Sequence, residues 1–125
     1  MLQDALMYSY IPANDVARAR KFYEDKLGFK PSREIGGGVT YVCAGGTACF
    51  LYPTSNAGTS SASQAFWEVA NIGREVDELK SRGVAFEEYD MPGKEQGSPI
   101  YTAGGAKAAW FKDTEGNIMA LIQTL

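Results

Sequence analysis

The feature of this sequence that most limits its fold is an internal repeat. Each half opens with a strand pattern, continues with a helix that begins at a short polar residue and ends at a glycine, and returns to strands. Tyr8 precedes the cap at Asp15 by the same interval that separates Gln64 from the cap at Asn71. The repeat predicts two equivalent β-α-β-β-β modules. Because one such module cannot cover both faces of its sheet, we expect the two to associate.

The spacing of apolar residues, together with capping residues and glycines, predicts where the helices and strands begin and end. The first helix should begin at Asn14 or Asp15 and end at Gly28, and the second should end at Gly83. In the first module we expect strands at 3–12, 29–35, 39–44 and 47–52. In the second we expect strands at 64–70, 84–89, 107–112 and 117–123. The loop at 90–105 is longer than most connections, which indicates a functional or mobile segment.

A single domain spanning residues 1–125 accounts for this pattern. Module 1 is expected at 1–53 and module 2 at 64–125, with the small polar run at 54–63 as a mobile linker. The fold class we expect is α+β, with paired βαβββ modules forming a cupped mixed sheet and the helices outside.

Charge and composition narrow the chemistry and the partners. The net charge is −3 and the basic residues are dispersed, so nucleic acid is not an expected partner. The chain has no histidine, which removes the commonest transition-metal ligand and the usual general base near neutral pH. No apolar stretch reaches the roughly 20 residues of a membrane helix, and the N-terminus lacks a signal-peptide pattern. We therefore expect a cytoplasmic protein without a membrane partner.

The two cysteines, Cys43 and Cys49, are expected to be free thiols. A two-residue turn at 45–46 would pair Cys43 with Ala48 and Cys49 with Val42, and would place the two sulfur atoms on opposite faces of the sheet. A disulfide is therefore not expected. With no histidine to activate it, Cys49 is interpreted as a small buried hydrophobe and not as a nucleophile.

Two segments resemble signatures of the vicinal-oxygen-chelate superfamily, the glyoxalase, bleomycin resistance protein and dioxygenase family. Residues 14–29, Asn-Asp-Val-Ala-Arg-Ala-Arg-Lys-Phe-Tyr-Glu-Asp-Lys-Leu-Gly-Phe, are similar to its first-helix signature. Residues 112–117, Lys-Asp-Thr-Glu-Gly-Asn, are similar to its last-hairpin signature. With the paired modules, the resemblance covers nearly the whole chain and implies this fold. Function stays open, because the superfamily includes isomerases, dioxygenases, epimerases, thiol transferases and catalytically silent drug-binding proteins.

In the metal-dependent members, the resemblance implies ligands at up to four inward strand positions, typically His, Gln or Glu. These positions correspond here to Tyr8, Phe50, Gln64 and Ala120. A phenol, a phenyl ring, an amide and a methyl group cannot replace imidazoles and carboxylates around zinc, nickel or iron. We therefore predict no metal and no other cofactor.

The metal-free members hold flat or cationic drugs between aromatic and acidic side chains, often in grooves shared by two subunits. This sequence has suitable side chains on the strands that should line the cup. The predicted ligand-binding residues are Tyr8, Tyr10, Phe50, Gln64, Phe66, Glu68 and Trp110. The first hypothesis is a homodimeric, metal-free protein that binds a small aromatic or cationic molecule in the cup of the sheet.

Structural roles compete with this hypothesis at every position. The aromatic residues could belong to the hydrophobic core, Gln64 could hydrogen-bond across the sheet, and Glu68 could be solvated.

Two other functions remain open. One is a metal-independent lyase or isomerase, in which Tyr8, Glu68 or Tyr101 acts as acid and base with a pKa moved by burial, although no catalytic residue can be assigned. The other is an oligomerisation module with a vestigial cup.

Overall fold

In the computed structural model, which describes residues 1–125, the chain forms two compact units. Unit 1 comprises Met1–Ser60 with Thr114–Asn117, and unit 2 comprises Ser61–Asp113 with Ile118–Leu125. Each unit has one four-stranded mixed sheet and one α-helix. The predicted α+β fold class is therefore confirmed, whereas the module limits of 1–53 and 64–125 stay predictions.

Unit 1 follows the predicted order of strand, helix and three strands. Its elements are β1 (Tyr8–Ala13), α1 (Val16–Lys21), β2 (Pro31–Ile35), β3 (Gly38–Val42) and β4 (Ala48–Pro53). The strand order is β1-β4-β3-β2, in which β1 runs parallel to β4 and the other pairs are antiparallel. A π-helical turn at Phe22–Lys26 extends α1.

The helix α1 begins and ends where its residues predict. Asp15 is the cap, and its carboxylate accepts a hydrogen bond of 3.0 Å from the backbone N–H of Arg18. At the other end, Gly28 has a φ of 81°, which a side chain would disfavour. The ring of Tyr23 stacks on Tyr41 of β3, with centroids 6.0 Å apart, and both residues are fully buried. This aromatic pair fixes the helix against one face of the sheet.

The first strand is shorter than the predicted 3–12. The structure has a 3-10 turn at Leu2–Asp4, and β1 starts only at Tyr8. The reason is the partner strand, because Tyr8 pairs with Ala48, the first residue of β4. Residues before Tyr8 have no ladder partner in this sheet, so the apolar alternation there does not produce a strand.

The turn between β3 and β4 also differs from the prediction. Ala48 pairs with Val42 and not with Cys43, and Cys49 pairs with Tyr41, so the register is shifted by one residue. The cause is a longer turn: a 3-10 turn at Ala44–Gly46 replaces the two-residue hairpin. Because a shift of one residue reverses the face of every side chain, the predicted opposite placement of the two sulfur atoms is wrong.

The tip of the last hairpin, Thr114–Asn117, belongs to unit 1. The carboxylate of Glu115, whose side chain is 0% exposed, accepts hydrogen bonds from the Arg18 guanidinium at 2.9 and 3.0 Å. It also accepts the backbone N–H of Asp15 at 2.9 Å. In addition, the Asn117 side-chain amide donates to the Pro12 carbonyl at 2.8 Å. The first helix of the chain is thus tied at its start to residues 100 positions later.

Unit 2 repeats the architecture of unit 1. Its elements are β5 (Ser63–Glu68), α2 (Ile72–Ser81), β6 (Tyr101–Ala103), β7 (Ala106–Lys112) and β8 (Ile118–Thr124), with the strand order β5-β8-β7-β6. Asn71 caps α2 as predicted, accepting from the backbone N–H of Arg74 at 3.1 Å. The half-buried Trp67 stacks on Phe111, which is fully buried in the core of this unit, with centroids 6.2 Å apart. No helix of the chain combines the length and the apolar character needed to cross a membrane.

The predicted strand at 84–89 is wrong. Its pairing with β7 is limited to the isolated bridge between Phe86 and Phe111 and a backbone hydrogen bond from the Glu87 N–H to the Trp110 carbonyl. The edge strand next to β7 is instead β6, which lies inside the predicted loop at 90–105. Because β6 pairs with the first half of β7, only the second half of β7 remains for 84–89, and the isolated bridge at Phe111 lies there.

Candidate functional site

The sheet of unit 1 has one buried face and one open face. Ile11 and Leu51 point to the buried face and are both 0% exposed. The cross-strand register places Tyr10, Phe50 and Thr40 in one row on the opposite side. We call this second side the open face of unit 1.

The open face of unit 1 contains a cavity of about 300 Å³, close to the lower limit of typical ligand pockets. No charged side chain lines it. The lining residues are Tyr8, Ser9, Tyr10, Ile35, Thr40 and Phe50. The walls are therefore aromatic and aliphatic, with hydroxyl groups as their polar atoms. Such a lining suits a neutral, flat and largely apolar molecule.

Aromatic rings form a continuous surface along one side of this cavity. Tyr10 lies 6.2 Å from Phe50 between ring centroids, and 4.8 Å from Tyr52. The rings of Phe50 and Tyr52 are almost parallel, with an interplanar angle of 9°. Tyr8 and Tyr10 are 53% and 62% exposed, so their ring faces are available for stacking.

The corresponding face of unit 2 carries a row of one aromatic, one small and one aromatic residue. Phe66 of β5 and Trp110 of β7 both pair with Ala120 of β8, which lies between them. Two strand spacings separate the aromatic residues, roughly 10 Å between their backbones. Ala120 is buried at the centre of the row, while Phe66 is 59% exposed. The two rings therefore stand on either side of a methyl group.

The ring of Trp110 is held in place by two tyrosines. Tyr89 and Tyr101 both approach it edge to face, at centroid distances of 5.7 and 5.5 Å. The Tyr101 hydroxyl donates a hydrogen bond of 2.8 Å to the Tyr89 carbonyl and accepts one from the Tyr89 N–H. Burial is the main cause that raises the pKa of Tyr89. This clamp fixes the loop that contains Tyr89 to the edge strand β6.

The two polar residues of the predicted set are both on β5 and both exposed. Glu68 follows Phe66 on the same side of the strand, and its carboxylate accepts a hydrogen bond of 3.2 Å from the Thr124 hydroxyl. Gln64 lies at a bulge, because Ser63 and Ala65 pair with consecutive residues of β8. Glu68 thus places a negative charge beside an exposed aromatic ring.

The four positions that correspond to metal ligands are divided between the units. Tyr8 and Phe50 lie in unit 1, and Gln64 and Ala120 lie in unit 2. No group of three or more His, Cys, Asp or Glu side chains that could hold a metal ion occurs in the structure. Of the four residues, only Tyr8 and Gln64 carry an oxygen, and neither a neutral phenol nor an amide holds a divalent metal firmly. These residues do not fit the metal that other members of the resembled family bind.

Within unit 1 the structure brings the predicted residues Tyr8, Tyr10 and Phe50 together around one cavity, and within unit 2 it places Phe66 and Trp110 on either side of Ala120, with Glu68 next to Phe66 on β5. Sequence reasoning missed several neighbours: Ser9, Ile35, Thr40, Tyr52 and Tyr89. Strand parity with Phe50 was a signal that could have identified Tyr52. No sequence signal identifies Ile35 or Thr40, because their position depends on the register between β2, β3 and β4.

Comparisons with known proteins agree with this architecture. A family model described as Glyoxalase/Bleomycin resistance protein/Dioxygenase superfamily matches residues 4–121. No curated protein matches the sequence significantly.

Several solved structures have the same fold. One is TnmS3, an antibiotic binding protein from Streptomyces sp. CB03234, with a TM-score of 0.76, 22% identity, and coverage of 100% of this chain and 99% of that chain. A second is a glyoxalase/bleomycin resistance protein/dioxygenase from Alicyclobacillus acidocaldarius, with a TM-score of 0.70, 19% identity, and coverage of 98% and 92%. A third is lactoylglutathione lyase from Agrobacterium tumefaciens, with a TM-score of 0.64, 20% identity, and coverage of 96% and 93%.

At these identities the structural likeness shows the fold alone. The family model carries more weight, because it spans nearly the whole chain, from the residues before β1 into β8. It also includes both segments that resemble the superfamily signatures. On this basis the chain belongs to the Glyoxalase/Bleomycin resistance protein/Dioxygenase superfamily.

Proposed function

We propose that this protein binds a small, flat organic molecule without the help of a metal ion. The observation that carries the proposal is the cavity on the open face of unit 1, which is lined by Tyr8, Tyr10 and Phe50 and by no charged side chain. Exposed aromatic rings beside a cavity are costly in water, and a stacked ligand removes that cost. The ligand's aromatic part should therefore lie against these rings.

The second unit supports the same class of ligand and adds a charge. Phe66 and Trp110 offer ring faces, and Glu68 offers a carboxylate next to Phe66. A ring contact contributes about 0.5–1.5 kcal/mol beyond area burial, and a cation over an aromatic face contributes about 0.5–2 kcal/mol. We therefore propose that the face of unit 2 also binds aromatic molecules, and that Glu68 favours those that carry a cationic group there.

The comparisons support small-molecule binding as the class of function, and they do not identify the ligand. TnmS3 is described as an antibiotic binding protein, so the same fold serves small-molecule binding in at least one relative. The lyase or isomerase alternative gains no support from the geometry. It needs an enclosed acid or base, whereas Glu68 and Tyr8 are exposed and the Tyr101 hydroxyl is already bonded to the backbone of Tyr89.

We also propose that the protein is a homodimer and that it lies in the cytoplasm. Apolar side chains before β1 are strongly exposed in the single chain, among them Leu2 at 87% and Met7 at 89%. Exposed apolar groups of this kind often mark a surface that a partner chain covers. Light scattering coupled to size-exclusion chromatography measures the oligomeric state directly.

The proposal is tested by calorimetric titration with a planar neutral probe, acridone, against wild type and three variants. We expect Tyr10→Ala and Phe50→Ala each to weaken binding by about 2- to 10-fold, the equivalent of one lost ring contact. The control is Val42→Ala, which removes an exposed apolar side chain that does not line the cavity and should leave the affinity unchanged. Equal affinity in all four proteins, or no binding by any, would contradict the proposal.

A further inference from the structure

The observed register of the β3–β4 hairpin places both cysteines of the chain on the same face. Tyr41 and Cys49 pair directly, and the Cys43 N–H donates a hydrogen bond of 2.8 Å to the Thr47 carbonyl. Side chains two residues apart on a strand point to the same side, and so do those of directly opposed residues. Cys43 and Cys49 are therefore diagonal neighbours across the two strands.

The two thiols have different environments. Cys49 is buried, at 5% exposure, and its thiol donates to the Tyr41 carbonyl at 3.8 Å. Burial, together with the adjacent thiol of Cys43, raises the pKa of Cys49 to about 12. Cys43 is only half-buried. Cys43 is thus the thiol that a reagent in solution can reach, and Cys49 is the inner thiol that lies next to it.

We propose that Cys43 and Cys49 are an oxidisable dithiol, which a low-molecular-weight disulfide converts reversibly into an intramolecular disulfide. The Cys43 thiolate attacks the reagent disulfide, a mixed disulfide forms on Cys43, and one reagent thiolate leaves. The Cys49 sulfur then bonds to the Cys43 sulfur, and the second reagent thiolate leaves with the Cys49 proton. Both protein thiols are oxidised, and one reagent disulfide is reduced to two thiols.

The hairpin turn provides the movement that the bond requires. Diagonal neighbours on antiparallel strands are about 7–8 Å apart between Cα atoms, slightly more than most disulfides span. The intervening turn contains Gly45 and Gly46, with φ values of 66° and 82°, and neither carries a side chain that would resist a small rotation. The strand ends can therefore close without disturbing the buried Tyr41–Cys49 pair.

The test is oxidation of the full-length, folded and initially reduced protein by oxidised glutathione, followed by alkylation and intact-mass and peptide analysis. We expect wild type to lose the mass of two hydrogen atoms, to take up no alkylating agent, and to give one peptide that joins Cys43 to Cys49. Dithiothreitol should restore both thiols.

Two variants identify the order of the steps. Cys49→Ser should accumulate glutathione on Cys43, because no second thiol can displace it. Cys43→Ser should react at least ten times more slowly than Cys49→Ser, because the remaining thiol is buried. Circular dichroism shows whether each variant is folded. If a variant is not folded, the peptide analysis of oxidised wild type still tests the proposal. Stable glutathionylation of wild type, two alkylated cysteines, or a disulfide between two chains would overturn the proposal.

Discussion

Gly38 shows how strongly one position can depend on the absence of a side chain. A Cβ atom there would lie 2.1 Å from the Leu51 carbonyl oxygen and 3.0 Å from the Phe50 ring. The first distance is impossible for real atoms, so the two strands would have to separate. The backbone of β3 therefore approaches β4 closely just where Phe50 lines the cavity.

The first prediction concerns this contact. Gly38→Ala should lower the free energy of unfolding by about 1–3 kcal/mol, the usual cost of overpacking, and should weaken acridone binding through displacement of Phe50. Gly73→Ala in α2 is the matched control. A Cβ at Gly73 would meet Asn71 at an ordinary 3.6 Å, and alanine favours a helix by up to about 1 kcal/mol. Urea denaturation of both variants checks the contrast, and equal stability would contradict it.

Glu68 carries the second prediction. If this carboxylate favours cationic ligands, Glu68→Gln should weaken binding of the planar cation proflavine by about 2- to 5-fold, the range of an exposed charge pair. Binding of neutral acridone should not change. Asp77→Asn alters the net charge equally on the exposed side of α2 and should affect neither ligand. An equal loss for both probes would show that Glu68 does not act through its charge.

How well the site could be predicted depends on the kind of residue. Tyr8, Tyr10 and Phe50 were identifiable because alternation on a strand fixes which side chains share a face. Ile35 and Thr40 line the same cavity, but they reach it through a bulged β2–β3 pair whose register no local pattern reveals. Local sequence thus predicted the aromatic wall of the cavity and not its aliphatic and hydroxyl-bearing part.

At the scale of elements, the β7–β8 turn and the start of α1 form one structural unit. Glu115 accepts hydrogen bonds from Arg18, from the Asp15 backbone and from the Thr114 hydroxyl. Its side chain is completely buried, whereas the Arg18 side chain is 53% exposed. The hydrogen bonds from these partners therefore compensate the carboxylate for its lost hydration. The exposed Arg18 side chain keeps contact with water and needs this compensation less.

The third prediction is that Glu115→Ala destabilises the protein by about 1–3 kcal/mol, because it leaves the Asp15 N–H and the Arg18 guanidinium without their acceptor. The control is Glu78→Ala. Glu78 pairs with Arg82 within α2, but at 58% exposure the loss should be about 0.3–0.5 kcal/mol. Chemical denaturation distinguishes the two, and similar losses would show that burial of Glu115 has no energetic effect.

A pH dependence follows from the same carboxylate and forms the fourth prediction. Burial raises the pKa of Glu115, but the hydrogen bonds from Arg18, Asp15 and Thr114 lower it more, so the pKa lies below its usual 4.5. A group of this kind contributes stability that is complete above the unfolded-state pKa and is lost as the pH falls through the folded-state pKa. Wild type should therefore lose stability below pH 4.5 more steeply than Glu115→Ala. Denaturation midpoints measured across the acidic range provide the test, and parallel curves would contradict it.

Elements were predictable where their signals are local. The caps at Asp15 and Asn71 and the glycine ends of both helices depend on neighbouring residues, and they lie where expected. Strands were less predictable, because each also needs a partner. The segment 84–89 has strand character but forms only an isolated bridge with the second half of β7, whereas the first half pairs with β6, which lies in a segment rich in glycine.

At the scale of the whole molecule, the fifth prediction separates this protein from metal-dependent members of its superfamily. A chelator should change neither the thermal midpoint nor the affinity for acridone, because Tyr8, Phe50, Gln64 and Ala120 do not form a metal site. Differential scanning fluorimetry with and without chelator, and with added zinc or nickel, measures this. A stabilisation by stoichiometric metal that the chelator reverses would contradict the prediction.

The assignment of Thr114–Asn117 to unit 1 has a consequence for any attempt to divide the gene. A fragment that stopped at residue 60 would carry Arg18 and the Asp15 amide without the acceptor that completes them. The segment Thr114–Asn117, which belongs to unit 1, would be missing from this fragment. Unit 1 is therefore not one continuous stretch of sequence, and a cut after residue 60 would remove hydrogen bonds at the start of its own helix.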